Sequence, residues 1–203
     1  IRDVLGSRGL GDVYKRQLFV QTGVNSFDTV MVSGSTAATN ADTLIFNVMY
    51  AFYTGCSSFM SQNYGARNKK RVLKSYFISL FYSFTTGLIL GLLLFIFGHQ
   101  FMSLFATDAA VIDAGMQRIK IMAFSYCVSA FMDCTIAASR GLGKTVIPTI
   151  IIILGSCVFR IVWIYTIFAW IHTIPALFLL YLFSWIITSI AEIIYFIIIY
   201  RKL

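Results

Sequence analysis

Charge is scarce in this chain: Asp, Glu, Lys and Arg make up only 12% of its 203 residues. Soluble domains carry roughly 25%, so the shortfall excludes an ordinary water-facing surface. Histidine is nearly missing too, with only His99 and His172. No Ser-His-Asp set, pair of catalytic carboxylates or metal-ligand cluster can be assembled, and no enzymatic activity, metal or organic cofactor is expected. The four cysteines, Cys56, Cys127, Cys134 and Cys157, form no CxxC pair. All fall in apolar segments, where cysteine is expected as a small reduced packing residue. Linkers and low-complexity tracts are absent from residue 18 onward, and six membrane spans would leave no room for a sizeable soluble domain.

Apolar surface is what the chain has in abundance. It is 59% hydrophobic with a mean hydropathy of +0.82. At about 20 residues per membrane helix, the length accommodates six spans, expected near 18–34, 43–64, 75–97, 116–139, 146–170 and 175–200. Basic residues alternate with them. Arg67, Lys69, Lys70, Arg71 and Lys74, then Arg140 and Lys144, then Arg201 and Lys202 fall on one side; only Arg118 and Lys120 fall on the other, beside Asp108 and Asp113. Cytoplasmic segments retain Lys and Arg, so this pattern predicts an integral membrane protein with a cytoplasmic C-terminus. The net charge of +8 then marks topology and contact with anionic lipid rather than a nucleic-acid footprint.

Residues 1–17 are set apart. Ser7-Arg8-Gly9-Leu10-Gly11-Asp12-Val13-Tyr14-Lys15-Arg16-Gln17 reads like one frame of a transposase-type sequencing adapter. Such a segment is excluded from fold reasoning; the alternative is a basic cytoplasmic tail. On the adapter reading the chain is a gene fragment whose upstream part is missing.

The small polar stretch 35–40 predicts a tight outer turn, with Asp42 near the start of the next helix, where its charge suits the dipole. Gly87 and Gly91 form a GxxxG step, a face for close helix packing. The stretch 98–115 reads as an outer segment, with an amphipathic turn at 101–105 and an N-cap near Thr107-Asp108.

Ionisable residues within spans are the default functional candidates, because each costs about 2.5–3.5 kcal/mol or more near the bilayer centre. Asp133 stands out: seven residues before Arg140, it lies roughly 10 Å inside the cytoplasmic end. A carboxylate there needs a proton, a cation or a donor, which makes it a coupling candidate; the alternative is a structural hydrogen bond. Glu192 lies at similar depth and Asp28 near the outer surface. Gln21, Asn25 and Asp28 share a polar stripe that lines a cavity or is simply solvated. Arg160 snorkels, holds a carboxylate on an adjacent helix, or lines the cavity in contact with substrate. Tyr50, Tyr53 and Ser129 are further cavity-lining candidates. Residues 138–145 (Ala-Ser-Arg-Gly-Leu-Gly-Lys-Thr) fit a relaxed phosphate-loop pattern, but two membrane helices flank it where a strand is required. No nucleotide is expected.

Several motifs occur in a telling order: Asn25-Ser26-Phe27, then Ser33-Gly34-Ser35-Thr36-Ala37-Ala38, Gln62-Asn63-Tyr64-Gly65-Ala66-Arg67, Arg140-Gly141-Leu142-Gly143-Lys144 with Pro148, and Arg160-Ile161-Val162-Trp163. Together they resemble the multidrug and toxic compound extrusion (MATE) transporters, across essentially all of 18–203. The resemblance is to the C-terminal lobe. It implies an all-α membrane protein, a six-transmembrane-helix bundle forming one lobe of a twelve-helix transporter, whose partner would be a missing N-terminal six-helix lobe. It also implies export of cationic or amphipathic small molecules in exchange for protons or sodium, across the inner membrane of a prokaryote. The sequence departs from the sodium-coupled branch. Ser129 stands where that branch has its fourth-span carboxylate, with Asp133 one turn inward, and only Asn25 and Asp28 lie near the place of its first-span glutamate. This argues against sodium coupling through this lobe. The rivals are a lipid-linked oligosaccharide flippase of the same superfamily, which wants a more basic cavity than Arg160 alone supplies, and a membrane scaffold without transport.

Overall fold

The computed structural model describes residue 21 and residues 23–203. The expected artefact at 1–17, and most of the first expected span up to residue 20, lie outside the described residues. Five long helices follow in order. They are α1 (Thr29–Gly65), α2 (Lys69–Met102), α3 (Ala109–Gly141), α4 (Val146–Ile171) and α5 (Ile174–Arg201). Four of them, α2 to α5, are long and apolar enough to cross a membrane.

Side chains start three of these helices. The Asp28 carboxylate accepts the Met31 amide at 2.9 Å, Asn68 accepts that of Arg71 at 3.1 Å, and Asp108 accepts that of Ala110 at 3.0 Å. Each satisfies a donor that the first helical turn leaves open. Pro175 sits in the first turn of α5, where its missing N–H costs nothing. His172 takes the left-handed conformation at φ 36° and stops α4.

The boundary between the first two expected spans is corrected. No turn occurs at 35–40; α1 runs through it without a break. The hydroxyls of Thr36, Thr39 and Thr43 donate to the carbonyls of Val32, Ser35 and Thr39 at 2.8–2.9 Å. Back-bonded in this way, residues that signal a turn in water are accommodated within a helix. The chain turns at 25–28 instead, where the Asn25 amide donates to the Gln21 carbonyl at 2.8 Å. The outer segment is shorter than expected as well. α2 continues to Met102 and α3 begins at Ala109, so the connection spans only 103–108, with Asp108 capping as the sequence suggested.

α3 is the central helix. Of its most apolar window 67% is buried, against 28% for α2, 39% for α5 and 17% for α4. The glycine step on α2 lets it approach closely: a Cβ built on Gly91 would stand 2.2 Å from the Ala123 carbonyl oxygen of α3. α1 meets α3 in the same manner, with Gly34 against the backbone of Val111 and Gly115. Small residues let helices associate in lipid, where apolar side chains gain nothing by leaving their neighbours. Cys56 and Cys134 bring their thiols to 3.8 Å across the α1–α3 contact and are unbridged.

α4 is not a regular α-helix. It widens into π-helical turns at Ile153–Val158 and Ile164–Phe168. Such turns release backbone carbonyls from the i→i−4 ladder. The Ser184 hydroxyl of α5 donates to one of them, Gly155, at 3.0 Å. Between the two widened turns lies Arg160, held toward α5.

Candidate functional site

A cleft of about 380 Å³ opens among α1, α3, α4 and α5. The helical period builds its walls. On α1, Thr39, Asp42 and Phe46 recur every three or four residues and share a face; on α3, Arg118 and Met122 do the same. Arg160 enters from α4, and Tyr181 and Trp185 from α5.

Its electrostatic centre is a buried ion pair. The Arg118 guanidinium donates from Nη2 to Asp42 Oδ2, with both side chains 9% exposed. Nη1 donates to the Ser35 hydroxyl at 2.9 Å and to the Ser35 carbonyl at 3.2 Å. The Tyr126 hydroxyl, two turns further along α3, donates to the other Asp42 oxygen. The ring of Phe178 lies 5.4 Å from the guanidinium. Asp42 is thus held by two donors on one helix, and α1 is locked to α3. An isolated charge at this depth is costly to bury, and pairing with hydrogen bonds on the remaining atoms is what makes it tolerable.

Arg160 is a second buried cation in the same cleft. It lies 4.4 Å above the Tyr181 ring, a cation–π contact, and its Nε donates to the Ser184 hydroxyl at 3.3 Å. Asp133 lines the cleft from α3, half-buried. The cleft therefore holds two arginines and two aspartates. Phe46 packs edge-on to both Tyr126 and Trp185, at 5.6 and 6.0 Å, and gives it an aromatic wall. Such a space suits a ligand with an apolar ring system and at least one charge.

The structure brings Asp133 and Arg160 together here and places the other candidates elsewhere. Asp28 is exposed and caps α1. Gln21 donates its side-chain amide to Asn25 at 3.0 Å, also at the surface. Tyr50 is 68% exposed on the outside of α1. Tyr53 is buried, and its hydroxyl has no hydrogen-bond partner among the described residues. Ser129 is buried and donates to the Tyr126 carbonyl at 2.9 Å. Glu192 is fully buried at the α3–α5 contact, where neither carboxylate oxygen has a hydrogen-bond partner among the described residues. Arg140 acts on it electrostatically from the end of α3.

The ion pair itself corrects two sequence readings. Asp42 is not at a helix start but mid-helix, and Arg118, expected as an outer-side charge, is buried. A usable signal existed: with α3 capped at Asp108, ten residues of helix carry Arg118 about 15 Å inward. No group of three or more His, Cys, Asp or Glu able to hold a metal occurs among the described residues.

Long apolar helices shutting in a charged, aromatic cleft define a polytopic membrane protein. The MatE family model matches residues 15–166, and the chain belongs to that family. Three solved structures have the same fold at a TM-score of 0.85 and 15–16% identity, each matched over 94% of this chain. One is described as a MOP superfamily transporter from Pyrococcus furiosus whose binding pocket has reversed polarity. Another is a MATE protein in complex with MaL6, and the third an outward-facing multidrug resistance MATE family transporter. The chain spans only 43–44% of the length of these structures. No curated protein matches it significantly.

Proposed function

We propose that this chain forms the C-terminal lobe of a secondary antiporter that exports cationic or amphipathic small molecules in exchange for protons or sodium. The observation that carries this reading is the cleft: four ionisable side chains, Asp42, Arg118, Asp133 and Arg160, gathered among helices that are otherwise apolar. Charges are rare inside membrane helices and mark substrate or ion pathways. Family membership and the transporter fold support the same conclusion. The natural setting is the inner membrane of a prokaryote, with the C-terminus cytoplasmic and a second six-helix lobe completing the cavity.

Asp133 is the coupling acid on this reading. It lines the cleft and lies on the helix that also carries Arg118, so loading it with a proton or cation changes the charge balance around both arginines. Substrate and coupling ion then favour different access states and shift the population between them. Asp28 is a helix cap, and Glu192 lies outside the cleft. The buried Arg118 adds a second cation, which favours an anionic lipid headgroup as an alternative cargo. Asp42 offsets that charge, so a cationic or amphipathic substrate remains the better fit.

Asp133→Asn tests the assignment in the full-length protein reconstituted in vesicles. Efflux of a cationic dye driven by an imposed proton or sodium gradient should fall to background, while dye binding persists. Unchanged efflux under both gradients would rule Asp133 out, and a dye excluded in favour of an anionic amphiphile would support the flippase-like alternative.

A further inference from the structure

From Thr43 through Thr107 the chain contains no Asp or Glu at all, and none follows Glu192. These two acid-free stretches meet at the inner face of the bundle. The α1–α2 turn and the end of α5 enclose a cleft of about 290 Å³ lined by Tyr64, Arg67, Asn68, Lys69 and Lys202. Lys70, Arg71, Lys74 and Arg201 lie on the same face. No ion pair satisfies any of these cations among the described residues. Seven like charges at one rim repel one another, and no Asp or Glu side chain pairs with them among the described residues.

The cleft is built rather than incidental. Arg67 holds the left-handed conformation at φ 54°, a costly position for a residue with a side chain. Its amide donates to the Tyr64 carbonyl at 2.9 Å, and the Asn68 amide to that of Asn63 at 2.9 Å. Across the cleft, the Lys69 ammonium lies 4.9 Å from the Tyr200 ring centre and the Tyr200 hydroxyl donates to the Lys69 carbonyl at 3.4 Å. This fastens the end of α5 to the start of α2. The positive end of the long α2 dipole lies at the same place.

We propose that this cleft binds the phosphate headgroup of an anionic phospholipid from the inner leaflet. Arg67, Lys69 and Lys202 supply the cationic donors, and Asn68 sits between them. The volume lies at the small end of ligand pockets, which run to about 300–1,000 Å³, and suits a headgroup rather than a whole amphiphile. Tyr64 and Tyr200 flank it at the level where aromatic belts mark the membrane interface. The interfacial position of the cleft, beside Tyr64 and Tyr200, favours a lipid over free phosphate. Bound there, the lipid bridges α2 and α5 and reinforces the inner end of the lobe.

The test uses the full-length protein in a neutral detergent, titrated with dioctanoyl phosphatidylglycerol or dioctanoyl phosphatidylcholine while thermal unfolding is followed. Phosphatidylglycerol should raise the melting temperature saturably and phosphatidylcholine should not. Each basic residue near an anionic surface contributes about a factor of five in affinity. The double substitution Arg67→Gln/Lys202→Gln should therefore weaken the response at least tenfold, and Lys120→Gln, about 30 Å from the inner end of α3, should leave it intact. Equal responses to the two lipids would overturn the proposal, as would an undiminished response in the double variant. Stabilisation by inorganic phosphate that equals that of phosphatidylglycerol would overturn the lipid assignment. Because the readout is lipid binding and not efflux, its failure is separable from failure of the transport reading.

Discussion

Arg118→Met should destabilise the full-length protein by about 3–5 kcal/mol, the usual cost of removing one partner from a buried ion pair. Asp42 would keep the Tyr126 hydroxyl but lose its cation, and Ser35 would lose its donor from α3. The loss arises from the stranded carboxylate, not from the missing side-chain volume. Replacing both partners, as in Asp42→Leu/Arg118→Met, should therefore restore most of the stability, because well-packed apolar residues often match a buried pair. The measurement is thermal unfolding of the two variants and the parent in one detergent. A double variant as unstable as Arg118→Met would show that the stranded carboxylate is not the source of the loss.

Gly91→Val should be of similar consequence, by a different route. A Cβ at this position points at the Ala123 carbonyl oxygen from 2.2 Å. Because that atom belongs to the backbone, it cannot rotate away; α2 and α3 must separate. Overpacking of this kind costs about 1–3 kcal/mol and sometimes more. Separation along the α2–α3 contact would also open the seam beside Gly87, where Met49 of α1 packs. The expected result is a much reduced yield of folded, monodisperse protein by fluorescence-detected gel filtration, with Gly91→Ala intermediate. A Gly91→Val variant that melts like the parent would show that α2 and α3 are farther apart than described.

How much of this could be read from residues alone depends on what each helix is made of. α2, α4 and α5 announce themselves through long apolar runs bounded by basic residues, and the Gly87–Gly91 step correctly marked where α2 packs. The sequence pattern divides α1 in two because its middle is built from Ser, Thr and Asn. Those residues signal a turn when water competes for the backbone, yet in α1 their hydroxyls fold back onto helix carbonyls. The same error hid the site. With 35–40 as a turn, Asp42 is a harmless charge at a helix end and Arg118 an outer-side charge. Their partnership spans 76 residues, and no local pattern encodes it. Asp133 and Arg160 are legible because each stands alone in an apolar run. That they share one cleft with Asp42 and Arg118 required the packing of α1, α3, α4 and α5.

If the charged cleft is the path taken by substrate, as proposed, a thiol placed at Asn47 will report it. Asn47 lines the cleft from α1 and is exposed within it. With Cys56, Cys127, Cys134 and Cys157 replaced, an Asn47→Cys variant of the full-length protein in vesicles would be treated with a charged, membrane-impermeant thiol reagent. The thiol should react, the transported dye should slow the reaction, and modification should stop efflux. A thiol that no reagent reaches from either side, or one whose modification leaves efflux untouched, would contradict that path.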